Sequence, residues 1–208
     1  MSTPRKTPRQ QRSEFTFGAI LDAAARLFQQ HGYTATTTNK VAELAGVSIG
    51  TLYHYVPNKD ALLYALAERH LRHAGESLLA ETAALRADRP PLDETVHRLI
   101  GVVVRFHRAQ PRMHRLLFDQ APRTAEGVRQ LRQLEQRLAE EVAYHLRRLA
   151  PGAADPGLNA LLFVQAVEAQ VHGAVLDPPS GRTSDQCIQA IIDFWIRSLA
   201  PATTTGPE

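Results

Sequence analysis

The stretch GYTATTTNKVAELAGVSIGTLYHYVPNKDALL, residues 32–63, decides the reading of this chain. It holds two short helical patterns hinged at Gly46, an aromatic run, and the start of a long helix. Thr37 is a capping residue for the first pattern, which turns Val41, Leu44 and Ala45 inward. Gly46 supplies the positive φ that a sharp reversal needs. Ser48 restarts the chain as an N-cap, and Val47 before it is placed to staple onto Leu52. These features specify two helices joined by a tight turn rather than one bent helix. The preceding helix carries Ile20, Ala24, Leu27 and Phe28 on one stripe, which packs against both. The helix at 49–55 carries Gly50, Thr51, Tyr53, His54 and Tyr55. Any one tyrosine can pack its ring and wet its hydroxyl. Three rings in succession on so short a helix cannot all be core, so this helix presents a surface. The layout is that of a helix-turn-helix, and its expected partner is double-stranded DNA.

Charge agrees with that partner. The net charge is +3. Residues 1–60 hold seven bases (Arg5, Lys6, Arg9, Arg12, Arg26, Lys40, Lys59) against four acids (Glu14, Asp22, Glu43, Asp60), while residues 61–208 hold seventeen of each sign. The whole excess therefore lies with the unit expected to face phosphates, and all three lysines of the chain lie there too. Four of the bases fall in residues 5–12, so a solubilising basic tail is the competing reading of the charge alone.

Outward from this stretch the spacing is helical throughout. Helices are predicted at about 14–31, 38–45, 49–55, 58–86, 91–108, 111–119, 123–149, 157–176 and 184–199. Gly32 and Gly46 suit helix ends, and Pro57, Pro90, Pro91, Pro111, Pro122, Pro151, Pro178 and Pro179 interrupt the pattern between helices. No alternation of period two and no hairpin dipeptide is present, so the chain is all-α. The expected organisation is a disordered basic arm at 1–12, a three-helix DNA-binding domain at 13–57, a helical ligand-binding and dimerisation domain at 58–199, and a disordered tail at 200–208.

The ordered run from Ile20 to Leu63 (IL, AA, LF, GY, ATT, VAELAGVS, GTLYHYV, NK, ALL) resembles the DNA-binding domain of TetR-family transcriptional regulators. It covers about a quarter of the chain. The resemblance implies that Thr37, Tyr53, Tyr55 and Lys59 contact phosphates, and that Gly50, Thr51 and His54 face base edges, with Asn39 assisting from the preceding helix. Asn58 would cap the fourth helix. Two departures matter. Position 49, often basic or polar in the family, is Ile49, which suits a thymine methyl. No Arg or Lys occurs from 41 to 58, so no bidentate arginine–guanine contact comes from the recognition helix. Base reading should lean on apolar contacts, hydroxyls and DNA shape.

Beyond residue 58, the helix at 157–176 is apolar almost all round, and the helix at 184–199 is rich in Ile, Phe and Trp. Two such helices suit a two-fold, four-helix homodimer interface through Leu161, Val164, Val171, Val175, Ile188, Ile191 and Trp195. Burial within a single subunit is the alternative. Polar and aromatic residues set among apolar ones are ligand-pocket candidates: His97, Arg105, Phe106, His114, Phe118, Gln165, Glu168 and His172. The same polar groups would equally hydrogen-bond within a dimer seam. The family resemblance implies a small-molecule effector whose binding shifts the fourth helix and releases the operator.

Several classes are set aside. A Cys-based zinc site has only Cys187 to draw on. His70 with His73, and His107 with His114, are not completed by acids, so no metal and no cofactor are expected. Phosphate loops, nucleophile elbows and HExxH are absent, so no enzyme is expected. The N-terminus has no apolar segment after its bases and no run spans a bilayer, which points to a cytoplasmic protein. The expected function is a dimeric repressor on a palindromic operator; the alternative is a ligand-independent architectural DNA-binding protein.

Overall fold

The computed structural model describes residues 8–122, 124–151 and 155–200, with side chains from residue 11 onward. Among these residues there are nine helices and no strand: α1 (Pro8–Ala35), α2 (Thr38–Leu44), α3 (Ile49–Tyr55), α4 (Lys59–Asp88), α5 (Leu92–Ala109), α6 (Pro111–Gln120), α7 (Ala125–Leu149), α8 (Pro156–Leu176) and α9 (Ser184–Leu199). The chain is all-α. No helix among the described residues is long and apolar enough to cross a membrane.

Two compact units form, one from residues up to His70 together with Arg112–Pro122, the other from Leu71–Pro111 and the residues after Arg123. The first unit is built on the stripe of α1, where Ile20, Ala24, Leu27 and Phe28 are buried. Val41 and Ala42 of α2 and Leu52 of α3 close over it. Leu44, expected to point inward, is 43% exposed, because the buried face of α2 runs through Val41, Ala42 and Ala45 and leaves Leu44 on the flank. The unit extends past residue 57, where the sequence reading ended it. Leu62, Leu63 and Leu66 of α4 and Met113 and Leu117 of α6 complete the same core. One long and two short helices bury too little apolar surface to be stable alone, and these additions supply it.

The basic arm differs from expectation in part. Helix α1 begins at Pro8, a residue tolerated in a first turn, and the Arg12 carbonyl accepts a hydrogen bond from Thr16 Oγ1 at 2.8 Å. Arg5 and Lys6 lie outside the described residues, as do residues 201–208 of the expected tail.

In the second unit, α5, α7, α8 and α9 enclose Ile100, Val142, Phe163, Val167, Val171, Ile192 and Trp195. The caps are specific. Thr124 starts α7, Asp155 starts α8, and Thr183 with Gln186 forms a reciprocal capping box on α9. Trp195 donates its indole N–H to Gln170 Oε1 at 2.8 Å, so the largest ring of this core has its polar edge satisfied. Arg98 of α5 reaches Glu81 at 2.6 Å and Asp88 at 2.7 Å, both on α4. Gly75 permits the close approach of α7: a Cβ there would lie 2.9 Å from Leu134 Cδ1.

Helix α8 is not buried on every side, as its composition had suggested. Ala160, Phe163, Val167, Val171 and Ala174 face the core, while Leu158 and Leu162 are about half exposed. Three of the expected dimer-interface residues are corrected by this arrangement. Val171, Ile188 and Trp195 are core residues of a single chain, filling the space between α8, α9 and α5. Leu161, Val164, Val175 and Ile191 are only partly buried.

Candidate nucleic-acid interface

The turn between α2 and α3 is held at both ends. Gly46 sits at φ 69°, which an L side chain rarely adopts, and its N–H reaches Glu43 O at 3.1 Å. Ser48 Oγ then accepts from the Thr51 N–H at 3.0 Å and caps α3. Leu52 and Val56 are buried, which fixes the rotation of α3 about its axis. Ile49, Gly50, Tyr53 and His54 are consequently exposed, with Thr51 half-exposed beside them. Five of the expected DNA-contacting residues therefore share one outward face. That face carries no lysine or arginine.

Helix α2 contributes at the rim. Thr37 caps it, accepting from Lys40 N at 3.3 Å, and Asn39 is exposed in its first turn. The hydroxyls of Thr38 and Tyr53 lie 3.1 Å apart, so the Tyr53 ring is braced against α2 while half exposed.

The two remaining candidates are placed differently. Tyr55 is half-buried: its ring stacks on Phe17 with centroids 5.7 Å apart, and its hydroxyl lies 3.1 Å from Ser13 Oγ. Lys59 turns toward the protein, donating from Nζ to Tyr33 O at 2.8 Å and Thr36 O at 3.0 Å. Those carbonyls lie at and just past the end of α1, broken at Gly32 (φ 78°), where the Tyr33 carbonyl also accepts from the Thr36 N–H at 3.3 Å. Tyr33 in turn donates its hydroxyl to Asp60. Burial first, then this bond to a carboxylate, pushes the Tyr33 phenol up to about 12. Asn58 Oδ1 accepts from Ala61 N at 2.8 Å and caps α4, as the resemblance implied. Lys59 and Tyr55 thus lock the reader onto its frame. The polar–aromatic composition of 53–59 did not separate these positioning residues from the exposed ones.

The pocket candidates lie on α5, α6 and α8. His114 and Phe118 belong to α6, in the first unit, where His114 Nε2 lies 2.8 Å from His70 Nε2. His97 and Arg105 are exposed on α5, and Phe106 is half-buried. On α8, Gln165 donates to Glu135 Oε2 at 3.3 Å, whereas Glu168 and His172 both approach His107 of α5. The sequence reading left His107 out of the pocket. Its signal was present, since Ile100, Val104 and His107 recur at helical spacing on the buried face of α5.

Comparison with known proteins agrees with this geometry. The profile of bacterial regulatory proteins of the tetR family matches residues 20–66, and that of the tetracyclin repressor-like C-terminal domain matches residues 91–196. The HTH-type transcriptional regulator YvkB of Bacillus subtilis is 32% identical over 118 residues, which cover 54% of this chain and 61% of YvkB. The chain thus spans about three-fifths of that relative. Among solved structures, a TetR/AcrR regulator from Thermobifida fusca superposes with a TM-score of 0.68 at 20% identity, covering 88% of this chain and 97% of its own. AibR, solved with isovaleryl coenzyme A and operator DNA, superposes with a TM-score of 0.58 at 19% identity over 86% of this chain and 97% of its own. The second profile alone spans half of the chain, and together with the first it shows that the chain belongs to the tetR family of bacterial regulatory proteins.

Proposed function

We propose that this regulator is a homodimeric repressor that binds a pseudo-palindromic operator and leaves it when a small molecule occupies the C-terminal unit. The observation that carries the reading is the outward face of α3, where Ile49, Gly50, Thr51, Tyr53 and His54 are presented together by a capped, glycine-hinged turn. In this reading Gly50, Thr51 and His54 meet base edges, Ile49 packs on a thymine methyl, and Thr37 and Tyr53 contact phosphates beside Asn39. Tyr55 and Lys59 act by holding α3 and α4 in place.

A single such face binds weakly. A two-fold dimer sets two of them about 34–36 Å apart, matching one helical turn of DNA. Leu158 and Leu162 on α8 and Phe194 on α9 are large apolar side chains about half exposed, and they suit a four-helix seam with a second copy. Helix α4 gives Lys59–His70 to one unit and Leu71–Asp88 to the other, so a shift of its second part is carried along one continuous helix. AibR, with its operator and an acyl coenzyme A in one crystal, supports an organic effector for this chain. This reading places the protein in the cytoplasm.

Selection of binding sites from random DNA tests the reading. Recovery of one inverted repeat is the expected result. Absence of any enriched sequence at moderate salt would favour the architectural alternative, whose affinity is nearly sequence-blind.

A further inference from the structure

The outward face of α3 lacks the cations that a polyanionic partner calls for. No lysine or arginine occurs from residue 41 to 58. Three other bases of the first unit are engaged with the protein itself. Lys59 donates to the Tyr33 and Thr36 carbonyls, Lys40 donates to the Ala35 carbonyl at 3.2 Å, and Arg69 holds Asp22 at 2.7 Å. Neutralisation of phosphates supplies a large share of the affinity of proteins for duplex DNA, so a working reader requires a cation beside it.

The first turns of α1 are tied to the end of α3. Tyr55, the last residue of α3, stacks on Phe17, and its hydroxyl lies 3.1 Å from Ser13 Oγ. Arg12 precedes Ser13, with its Cα about 3.8 Å away along the chain, and its side chain is exposed. The Arg12 carbonyl accepts from Thr16 Oγ1 at 2.8 Å, within the regular run of α1. Arg12 is thus an arginine on a fixed helical turn next to α3, not a member of a loose tail. A turn that served solubility alone would need no tie to α3. Arg12 also lies ahead of residue 20, where the match to the family's N-terminal profile begins, so it is a feature of this chain beyond that match.

We propose that Arg12 is a DNA-binding residue, whose guanidinium contacts a backbone phosphate of the duplex beside the bases that α3 faces. The proposal rests on the reading of α3 as the DNA reader and extends that interface onto α1. Arginine suits the role, because it is always charged and can donate two parallel N–H bonds to one phosphate. Such a contact carries no sequence information; it sets the register of α3 in the groove. Tyr55 gains a purpose from it, since the tie to Ser13 and Phe17 keeps the phosphate contact and the base contacts at a constant spacing. The sequence alone placed Arg12 in a disordered arm, because nothing in residues 8–13 marks a packed helix.

The test measures binding of the full-length protein to a fluorescent, mixed-sequence DNA duplex by anisotropy, at salt concentrations from about 50 to about 200 mM. Arg12→Ala should lower the slope of log affinity against log salt by about 0.9 per chain and weaken binding about five-fold at the middle of that range. Arg12→Lys, which keeps the charge, should retain the parent slope. Alanine favours a helix, and the position is exposed, so Arg12→Ala should unfold thermally as the parent does. Arg26→Ala is the control: it removes the same charge from an exposed position about 21 Å further along α1, and should leave the slope unchanged. An unchanged slope in Arg12→Ala would overturn the proposal. An equal fall in Arg26→Ala would overturn it too, by assigning the effect to net charge. A phosphate contact is blind to sequence, so the two readings fail separately: absence of an enriched inverted repeat counts against the operator, and an unchanged slope counts against Arg12.

Discussion

The ammonium of Lys59 lies 4.1 Å from the centroid of the Tyr33 ring while donating to the Tyr33 carbonyl at 2.8 Å. One cation thus closes the end of α1 and fastens it to the first turn of α4. Lys59→Met should remove the ammonium donor from the Tyr33 and Thr36 carbonyls, leaving the Tyr33 carbonyl only the Thr36 N–H, and abolish the cation–π contact. The expected cost is about 2–3 kcal/mol in urea unfolding followed by circular dichroism, together with weakened operator binding. Lys59→Arg should recover part of both. If the variant instead kept full stability and lost only DNA affinity, Lys59 would be a direct phosphate ligand.

Gly46 and Gly18 make a controlled pair within the N-terminal unit. A Cβ at either position meets no atom within 4 Å, so only the backbone conformation differs. At φ 69°, Gly46→Ala should cost about 1–2 kcal/mol. Gly18→Ala, within the helical run of α1, should stabilise by about 0.5–1 kcal/mol. Thermal unfolding of the two variants against the parent reads both signs. A neutral Gly46→Ala would mean that the turn tolerates another backbone conformation.

His145 gives the fold a pH dependence. The side chain is fully buried on α7, and burial is the largest influence, pushing its pKa below the usual 6.5. Arg148 and Arg86 lower it further, while the Thr82 main chain and the Glu141 carboxylate act in the other direction. Protons therefore bind the unfolded chain first as pH falls. The stabilising contribution is complete above about pH 6.5 and declines as acid is added toward the native pKa, by at most about 1.4 kcal/mol per pH unit. His145→Leu should flatten that acid limb in unfolding curves from pH 5 to 8. An unchanged limb would assign the dependence to another group.

The exposed apolar residues of α8 and α9 test the proposed dimer. Leu162 is 49% exposed and Phe194 is 48% exposed, so Leu162→Glu or Phe194→Glu should change the stability of one chain by no more than about 0.5 kcal/mol. In a dimer each would place a carboxylate in the apolar seam, and light scattering should report monomers. Affinity for an inverted repeat should fall steeply, with half-site affinity preserved. A dimer of undiminished mass would move the interface elsewhere.

The reader helix was legible in the sequence because every constraint on it is local. Ser48, Leu52 and Val56 set its start, its buried side and its end, and the expected range 49–55 matches α3. Helix α1 was underestimated because residues 8–13 are polar, and periodicity cannot register a turn without apolar residues. Three of the expected dimer residues, Val171, Ile188 and Trp195, failed for the opposite reason. An apolar helix has no preferred side in its own sequence, and whether Val171 or Leu162 faces the core depends on where α5 and α9 lie. The approach of Glu168 and His172 to His107 has the same origin, since it exists only once α5 and α8 have packed.

The lysines have a practical corollary. Lys6, Lys40 and Lys59 are the only ones in the chain, and Lys40 and Lys59 both donate to carbonyls of residues 33–36. The other unit is basic through arginine and histidine alone, and it carries the single thiol, Cys187 on α9. Amine-reactive and thiol-reactive reagents therefore write on different halves of the molecule. An acyl group on Lys59 would remove its charge and unfasten the DNA reader while leaving the chemistry of the C-terminal half untouched, so events in the two halves can be labelled and followed separately in one sample.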